Sequence, residues 1–192
     1  MERRRFLLGL AASLGTTLIL ETFGWQSRAL AGDLSGSQVL PASLTQPREL
    51  SLLHTHTGER LSVAYFERGE YLPDALEAVN HLLRDHRTDA VHPIDPALLD
   101  ILHDLKSATG STGEYKIISG YRSPETNASL RKKSRGVAKH SLHLDGRAID
   151  VRLDGVELPT LHSAALALSR GGVGYYGKSD FVHLDTGAVR SW

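Results

Sequence analysis

The chain has 192 residues, 41% of them hydrophobic, which is enough for a single domain with one buried core. Basic and acidic residues balance at 22 each, so the chain lacks the basic excess of a nucleic-acid surface, and no nucleic-acid partner is expected. The absence of cysteine excludes disulfides and leaves histidine and carboxylates as ligands for any transition metal.

Residues 1–31 have the pattern of a twin-arginine signal peptide. Residues 3–7 read R-R-R-F-L, residues 7–20 are moderately apolar, and residues 29–31 offer small side chains to a signal peptidase. The apolar stretch is short against the roughly 20 residues that span a bilayer. We therefore expect export to the periplasm with cleavage rather than a membrane anchor, and no stable membrane insertion afterwards.

The next segments are predicted from composition and periodicity. Residues 32–48 are rich in Gly, Ser, Gln and Pro and are predicted to be a linker before a domain at residues 49–192. A bend at Gly58 between two short apolar runs predicts a hairpin of strands 50–54 and 60–66. Helical apolar spacing predicts a helix over residues 71–84. A second helix is predicted to begin at Pro96, capped by Asp95.

The second half of the chain contains most of the remaining predicted strands. These lie at residues 116–119, 148–153, 172–176 and 181–186, with helices at 124–133 and 158–170. Helices cluster first and strands last. This order favours an α+β fold with an antiparallel sheet over an alternating α/β fold.

Three residues are candidate metal ligands. His143 and Asp150 lie seven residues apart, and Gly146 between them permits a bend that would bring a loop histidine onto a strand carboxylate. His183 lies on a predicted strand near the C-terminus. Two histidines and one carboxylate form the open zinc site of a hydrolase, with the fourth position left for water. On spacing alone, an equal alternative is that the histidines are polar rim residues and Asp150 caps a turn.

These residues belong to a longer pattern. Residues 141–150 contain S-x-H-x-x-G-x-A-x-D, which resembles the signature of the zinc D-Ala-D-Ala carboxypeptidase and murein endopeptidase family. The S-G-Y-R-S-P segment at 119–124 and the segments 172–176 and 181–187 resemble further motifs of that family, in the same order. The similarity runs from about residue 48 to Trp192 and is closest to the branch of exported murein endopeptidases.

The resemblance implies a hedgehog/DD-peptidase-like α+β fold, with helices packed on a small antiparallel sheet. It implies a zinc peptidase that acts on peptidoglycan stem peptides or cross-links through a metal-activated water. His143, Asp150 and His183 would be the Zn²⁺ ligands, and Arg122 would face the substrate. Endopeptidase and carboxypeptidase activities, and the DD, LD or DL bond, stay open. The alternative is a non-catalytic zinc-containing module that binds cell-wall peptides.

The general base has two carboxylate candidates. In better-known members of the family a carboxylate precedes the third ligand by three residues, which points to Asp180. Asp185 competes because on a regular strand it shares the face of His183, whereas Asp180 faces the other side. Asp180 can reach the metal-bound water only if the chain turns at residues 179–180. We favour Asp180 narrowly, and His140 is the next candidate.

Overall fold

The computed structural model describes residues 46–133 and 137–192. The predicted signal peptide and residues 32–45 of the predicted linker lie outside this part of the chain. Within it, the chain forms one 3₁₀ turn, Leu142–Asp145, and the following helices and strands. In chain order these are β1 (Arg48–His54), β2 (Arg60–Glu67), β3 (Glu70–Tyr71), α1 (Pro73–Leu82), α2 (Pro96–Thr109), β4 (Tyr115–Ser119), α3 (Pro124–Lys133), β5 (Ala148–Leu153), α4 (Leu158–Leu168), β6 (Gly172–Tyr176), β7 (Phe181–Asp185) and β8 (Arg190–Ser191).

The described strands form one sheet in the order β3-β2-β1-β4-β5-β7-β6-β8. The predicted α+β class is confirmed. The sheet is larger than the small antiparallel sheet we expected, and two of its pairs, β1–β4 and β6–β8, are parallel. The chain between β1 and β4 includes α1 and α2. A connection of this length allows β4 to run parallel to β1, whereas a tight hairpin would make the two strands antiparallel.

Helix α2 begins and ends at strong local signals. The Asp95 side chain accepts a hydrogen bond from the Ala97 amide at 3.0 Å, and Pro96 occupies the first turn. The helix ends at Gly110, whose φ of 63° is left-handed. The cap predicted at Asp95 is therefore confirmed.

Two other helices are shorter than predicted. Helix α1 starts at Pro73 rather than residue 71, because Tyr71 pairs with Phe66 in the sheet. Helix α4 stops at Leu168 rather than residue 170, because Ser169 adopts a φ of 51°. Both differences come from contacts and backbone angles that apolar spacing does not encode.

One face of the central strands packs on the helices, and this leaves the other face for polar residues. Helix α2 contacts β1 and α4, and α4 contacts β5, β6 and β7. The core includes the predicted face of α2 and alternate residues of the strands. Its fully buried members include Leu98, Leu99, Leu102, Leu105, Leu52, Ile117, Val151 and Val182. Because side chains alternate along a strand, Asp150 and His183 project from the opposite face.

The bend before β5 depends on one glycine. Gly146 follows the 3₁₀ turn with a φ of 65°, and a Cβ at this position would overlap the carbonyl oxygen of Pro93. Gly155 has a similar φ of 77°, but a Cβ there would meet no atom within 4 Å. Replacement of Gly155 therefore tests only the cost of the left-handed backbone, whereas replacement of Gly146 tests that cost together with the overlap with Pro93.

We expect Gly155→Ala to lower the free energy of unfolding by about 1 kcal/mol, because the left-handed backbone is its only penalty. Gly146→Ala should cost a further ~1–3 kcal/mol, because the added methyl group displaces the Pro93 backbone. Urea denaturation of both variants measures the difference. Equal losses would show that the close approach at Gly146 contributes nothing.

Candidate metal centre

The sheet register and the 3₁₀ turn bring the three predicted ligands together. Asp150 on β5 lies directly opposite His183 on β7. His143 lies in the 3₁₀ turn that precedes β5. His143 Nε2 is 3.3 Å from Asp150 Oδ1 and 3.3 Å from His183 Nδ1. His183 Nδ1 is 2.8 Å from Asp150 Oδ1. The three side chains are buried and form a group of possible ligands within the described residues.

These distances fit a zinc ion. Tetrahedral zinc with bonds of 2.0–2.1 Å separates its donor atoms by about 3.3 Å, which matches both separations from His143 Nε2, whereas the contact between His183 and Asp150 is shorter, at 2.8 Å. His143 Nδ1 lies 2.7 Å from the carbonyl oxygen of Gly120, so this nitrogen donates its proton outward. The inner Nε2 then presents a lone pair to the centre, as metal-binding imidazoles do.

The electrostatics of the cluster favour a positive charge at its centre. Burial alone would raise the pKa of the Asp150 carboxyl, but His143 and His183 outweigh it and hold that pKa well below its usual range. Burial alone would lower the pKa of His183, but hydrogen bonds to Asp150 and Asp185 raise it above its ordinary value. A divalent cation bound by these residues would take the place of a proton.

Arg122 lies beside the cluster. Its side chain is 12% exposed, and Nη2 is 3.2 Å from Ser119 Oγ and 3.7 Å from Asp150 Oδ2. Burial lowers the pKa of this guanidinium. Its Nε atom is also buried, without a hydrogen-bond partner among the described residues. The side chain also lines the cavity that opens over the cluster.

Asp85 fixes the loop that carries Arg122. Its Oδ2 accepts from the Ser123 amide at 2.9 Å, and its Oδ1 accepts from the Arg87 amide at 3.0 Å. Burial alone would raise the pKa of Asp85, but hydrogen bonds from Ser123, Thr126 and the backbone lower it to about 2. Sequence analysis missed this residue because it lies 38 positions before its partner, in a polar loop.

The two predicted bases have different surroundings. The chain does turn at Asp180, which has a φ of 54°. Its carboxylate, however, is 65% exposed, and Oδ2 lies 2.9 Å from Arg152 Nε. Asp185 shares the face of His183 but is buried, and its Oδ2 lies 3.1 Å from His183 Nε2. The structure therefore brings Asp185 into the cluster and does not bring Asp180 into it.

A cavity of about 570 Å³ opens over the cluster. Besides the three ligands and Arg122, its lining includes His140, Ser179, Tyr176, Phe181, Arg190 and Trp192. The Trp192 indole donates to the Tyr176 hydroxyl at 2.9 Å, and its ring lies 5.2 Å from that of His183. A Cβ at Gly174 would overlap this indole.

Sequence analysis did not single out Tyr176, Arg190 or Trp192 as site residues. The pattern G-x-G in β6 was the available signal, because alternate glycines leave room on one face of a strand for neighbouring side chains. The side chains that Tyr176, Arg190 and Trp192 contact could not be predicted from the spacing of residues in the sequence.

Comparison with known proteins identifies the family. The sequence model of the family described as peptidoglycan L,D-endopeptidase MepK matches residues 42–192. The chain belongs to this family. Among its relatives, peptidoglycan L,D-endopeptidase MepK of Escherichia coli K12 is 42% identical over 170 residues, which cover 85% of this chain and 93% of the relative. The probable MepK of Haemophilus influenzae is also 42% identical, over 85% of this chain and 92% of its own.

One solved structure is also similar, the L-Ala D-Glu endopeptidase ChiX of Serratia marcescens. It aligns with 40% of this chain and 62% of its own, at 18% identity and a TM-score of 0.32, so it adds nothing to the family assignment. Among residues 46–133 and 137–192, no helix is both long and apolar enough to cross a membrane.

Proposed function

We propose that this protein is a zinc peptidase that hydrolyses peptide bonds in peptidoglycan stem peptides or cross-links. The observation that carries the proposal is the convergence of His143 Nε2, Asp150 Oδ1 and His183 Nδ1 at the floor of a cavity. Two imidazoles and a carboxylate, with room for a fourth ligand, are the donor set of catalytic zinc sites. The names of relatives 42% identical favour endopeptidase activity on L,D bonds.

The residues around the cluster fit this reaction. Zinc in such a site supplies a Lewis acid and activates water at neutral pH. Arg122, which lines the cavity with its Nη2 at 3.7 Å from Asp150 Oδ2, can hold a substrate carboxylate or steady the oxyanion that forms as the peptide carbonyl is attacked. Tyr176 and Trp192 can pack against the peptide and exclude water from it.

Asp180 is our candidate for the group that accepts the proton of the attacking water. The turn that it requires is present, and its neighbour Ser179 lines the cavity. Its exposed ion pair with Arg152 is of a kind worth about 0–1 kcal/mol, so a change of rotamer can release the carboxylate. Asp185 is less suited, because its oxygens are engaged by other donors. His140 is the competing candidate, because it is exposed and lines the same cavity.

The first test measures the zinc content and the peptidase activity of the same purified proteins. The purified protein should contain about one zinc per chain, since three ligands converge on one point. His143→Ala, Asp150→Ala and His183→Ala should each lose most of the zinc and all measurable cleavage of purified murein. His103→Ala, half-buried on α2 and outside the cavity, is the matched control and should keep both.

Metal analysis and mass spectrometry of the muropeptide products provide these readouts. Full zinc occupancy in His183→Ala would refute the ligand set. Zinc binding and tight muropeptide binding without any cleavage by the unmodified protein would instead indicate a non-catalytic binding module.

The second test concerns the base. A positioned carboxylate typically contributes ~10²–10⁴-fold, so Asp180→Asn should lower single-turnover cleavage by about that factor and leave zinc content unchanged. Arg152→Gln, which removes the partner of Asp180, should leave cleavage within a few-fold of the unmodified rate. If Asp180→Asn stays active and His140→Ala is inactive with zinc retained, His140 is the base.

We also propose export through the twin-arginine route, supported by the pattern of residues 1–31. Replacement of Arg3, Arg4 and Arg5 by Lys keeps the charge but should leave unprocessed precursor in the cytoplasm. Immunoblots of cell fractions measure this. Normal processing of the variant would point to another export system.

A further inference from the structure

We propose that Asp185 and Arg190 are positioning residues for His183: Asp185 accepts a hydrogen bond from the outer nitrogen of the imidazole, and Arg190 holds Asp185 in place. This inference rests on the proposed function only in taking His183 as a zinc ligand. It replaces the expectation that Asp185 is a general base.

The carboxylate of Asp185 has no free acceptor position. Its Oδ1 accepts from the amides of Gly172 at 3.1 Å and Gly187 at 2.8 Å, and from Arg190 Nη1 at 3.1 Å. Its Oδ2 accepts from Arg190 Nη2 at 2.6 Å and faces His183 Nε2 at 3.1 Å. Five donors meet a group with about four lone-pair sites, so no position is left for the proton of a water molecule.

The orientation of His183 follows from this contact. A neutral imidazole carries one proton, and an Nε2–H donated to Asp185 leaves the lone pair on Nδ1. Nδ1 is the atom that lies 2.8 Å from Asp150 Oδ1 and 3.3 Å from His143 Nε2. His143 has the same arrangement, with its outer nitrogen on the Gly120 carbonyl. Both ligands therefore have a fixed outer hydrogen bond, which is the usual way that proteins orient metal-binding histidines.

The space around the pair is also built for it. A Cβ at Gly172 would overlap both Asp185 Oδ2 and Arg190 Nη1. Gly172 is not among the glycines with a positive φ, so its backbone conformation does not require glycine. Glycine is required at this position because the Arg190 guanidinium and the Asp185 carboxylate leave no room for a Cβ. Strand β8 pairs with β6 and brings Arg190 to this position.

The alternative is that the Arg190–Asp185 pair only anchors residues 187–192 to the sheet. Zinc affinity distinguishes the two roles. Loss of a hydrogen-bond partner behind a metal ligand typically weakens metal binding by ~10–100-fold, whereas loss of an anchor away from the ligand does not. Arg170 offers a control, because it is exposed to a similar extent as Arg190 and also forms an ion pair with an aspartate, Asp104, which is more exposed than Asp185 and lies away from the cavity.

The experiment measures the zinc dissociation constant of the purified protein by competition with a chromophoric chelator. Arg190→Gln and Asp185→Ala should weaken zinc binding by ~10–100-fold, Arg190→Lys should restore part of the loss, and Arg170→Gln should bind zinc as the unmodified protein does. Nitrogen-15 NMR of the zinc-loaded protein supplies a second readout. It should find His183 protonated at Nε2, with the proton signal shifted in Arg190→Gln.

Two outcomes would overturn the inference. If folded Arg190→Gln binds zinc as tightly as Arg170→Gln, the pair is only an anchor, and the proposed function still stands. If NMR finds Nε2 rather than Nδ1 bound to zinc, Asp185 does not position the ring. Failure of the unmodified protein to bind zinc would refute both this inference and the proposed function, which keeps the two failures distinguishable. Arg190→Gln leaves the buried carboxylate in place, so the test does not depend on Asp185→Ala folding.

Discussion

The register between β5 and β7 is the constraint on which the site depends. It sets Asp150 opposite His183, on the sheet face away from the helices. If the register shifted by one residue, Asp150 and His183 would face the core, and apolar neighbours such as Val151 and Val182 would face the other side of the sheet. The buried leucines of α2 and the apolar residues of the two strands therefore do more than stabilise the domain. By fixing which face of each strand is buried, they hold Asp150 and His183 within hydrogen-bond distance.

Charge balance around the cluster explains how such polar groups are buried together. Asp150 has Arg122 within 3.7 Å, and Asp185 has Arg190 at 2.6 Å. Each buried carboxylate therefore has its own guanidinium, and the imidazole of His183 lies between the two carboxylates. Burial of unpaired charges would be costly, whereas these pairs largely compensate one another. With each carboxylate paired in this way, a divalent ion bound here would keep charge available to polarise a carbonyl.

Sequence patterns predicted the parts of the fold that local signals determine. The Asp95 cap marks the start of α2, and short apolar runs mark the strands. Tyr71 was assigned to a helix because its apolar spacing continues that of α1, whereas its pairing with Phe66 is a long-range contact of the sheet. The parallel β1–β4 pair could not be predicted either, because the relative direction of two strands depends on the connection between them and not on the residues of the strands.

The convergence of His143, Asp150 and His183 was predictable because a family motif contains them, whereas their surroundings were not. The sequence alone does not distinguish Asp180 from Asp185 as the candidate base. Their difference lies in partners from other strands: Arg152 for one, and Gly172 and Arg190 for the other. Trp192 reaches His183 only because Gly174 lacks a side chain. Such roles depend on which strands are neighbours, and this is known only once the register is known.

The proposed reaction requires one zinc ion at the point where His143, Asp150 and His183 converge. Anomalous diffraction at the zinc absorption edge, from crystals of the purified protein, locates the ion directly. We predict one strong peak about 2.0–2.2 Å from His143 Nε2, an Asp150 carboxylate oxygen and His183 Nδ1. A peak elsewhere, for example among the stacked rings of His56 and His86, or no peak at this point in protein that cleaves murein, would contradict it.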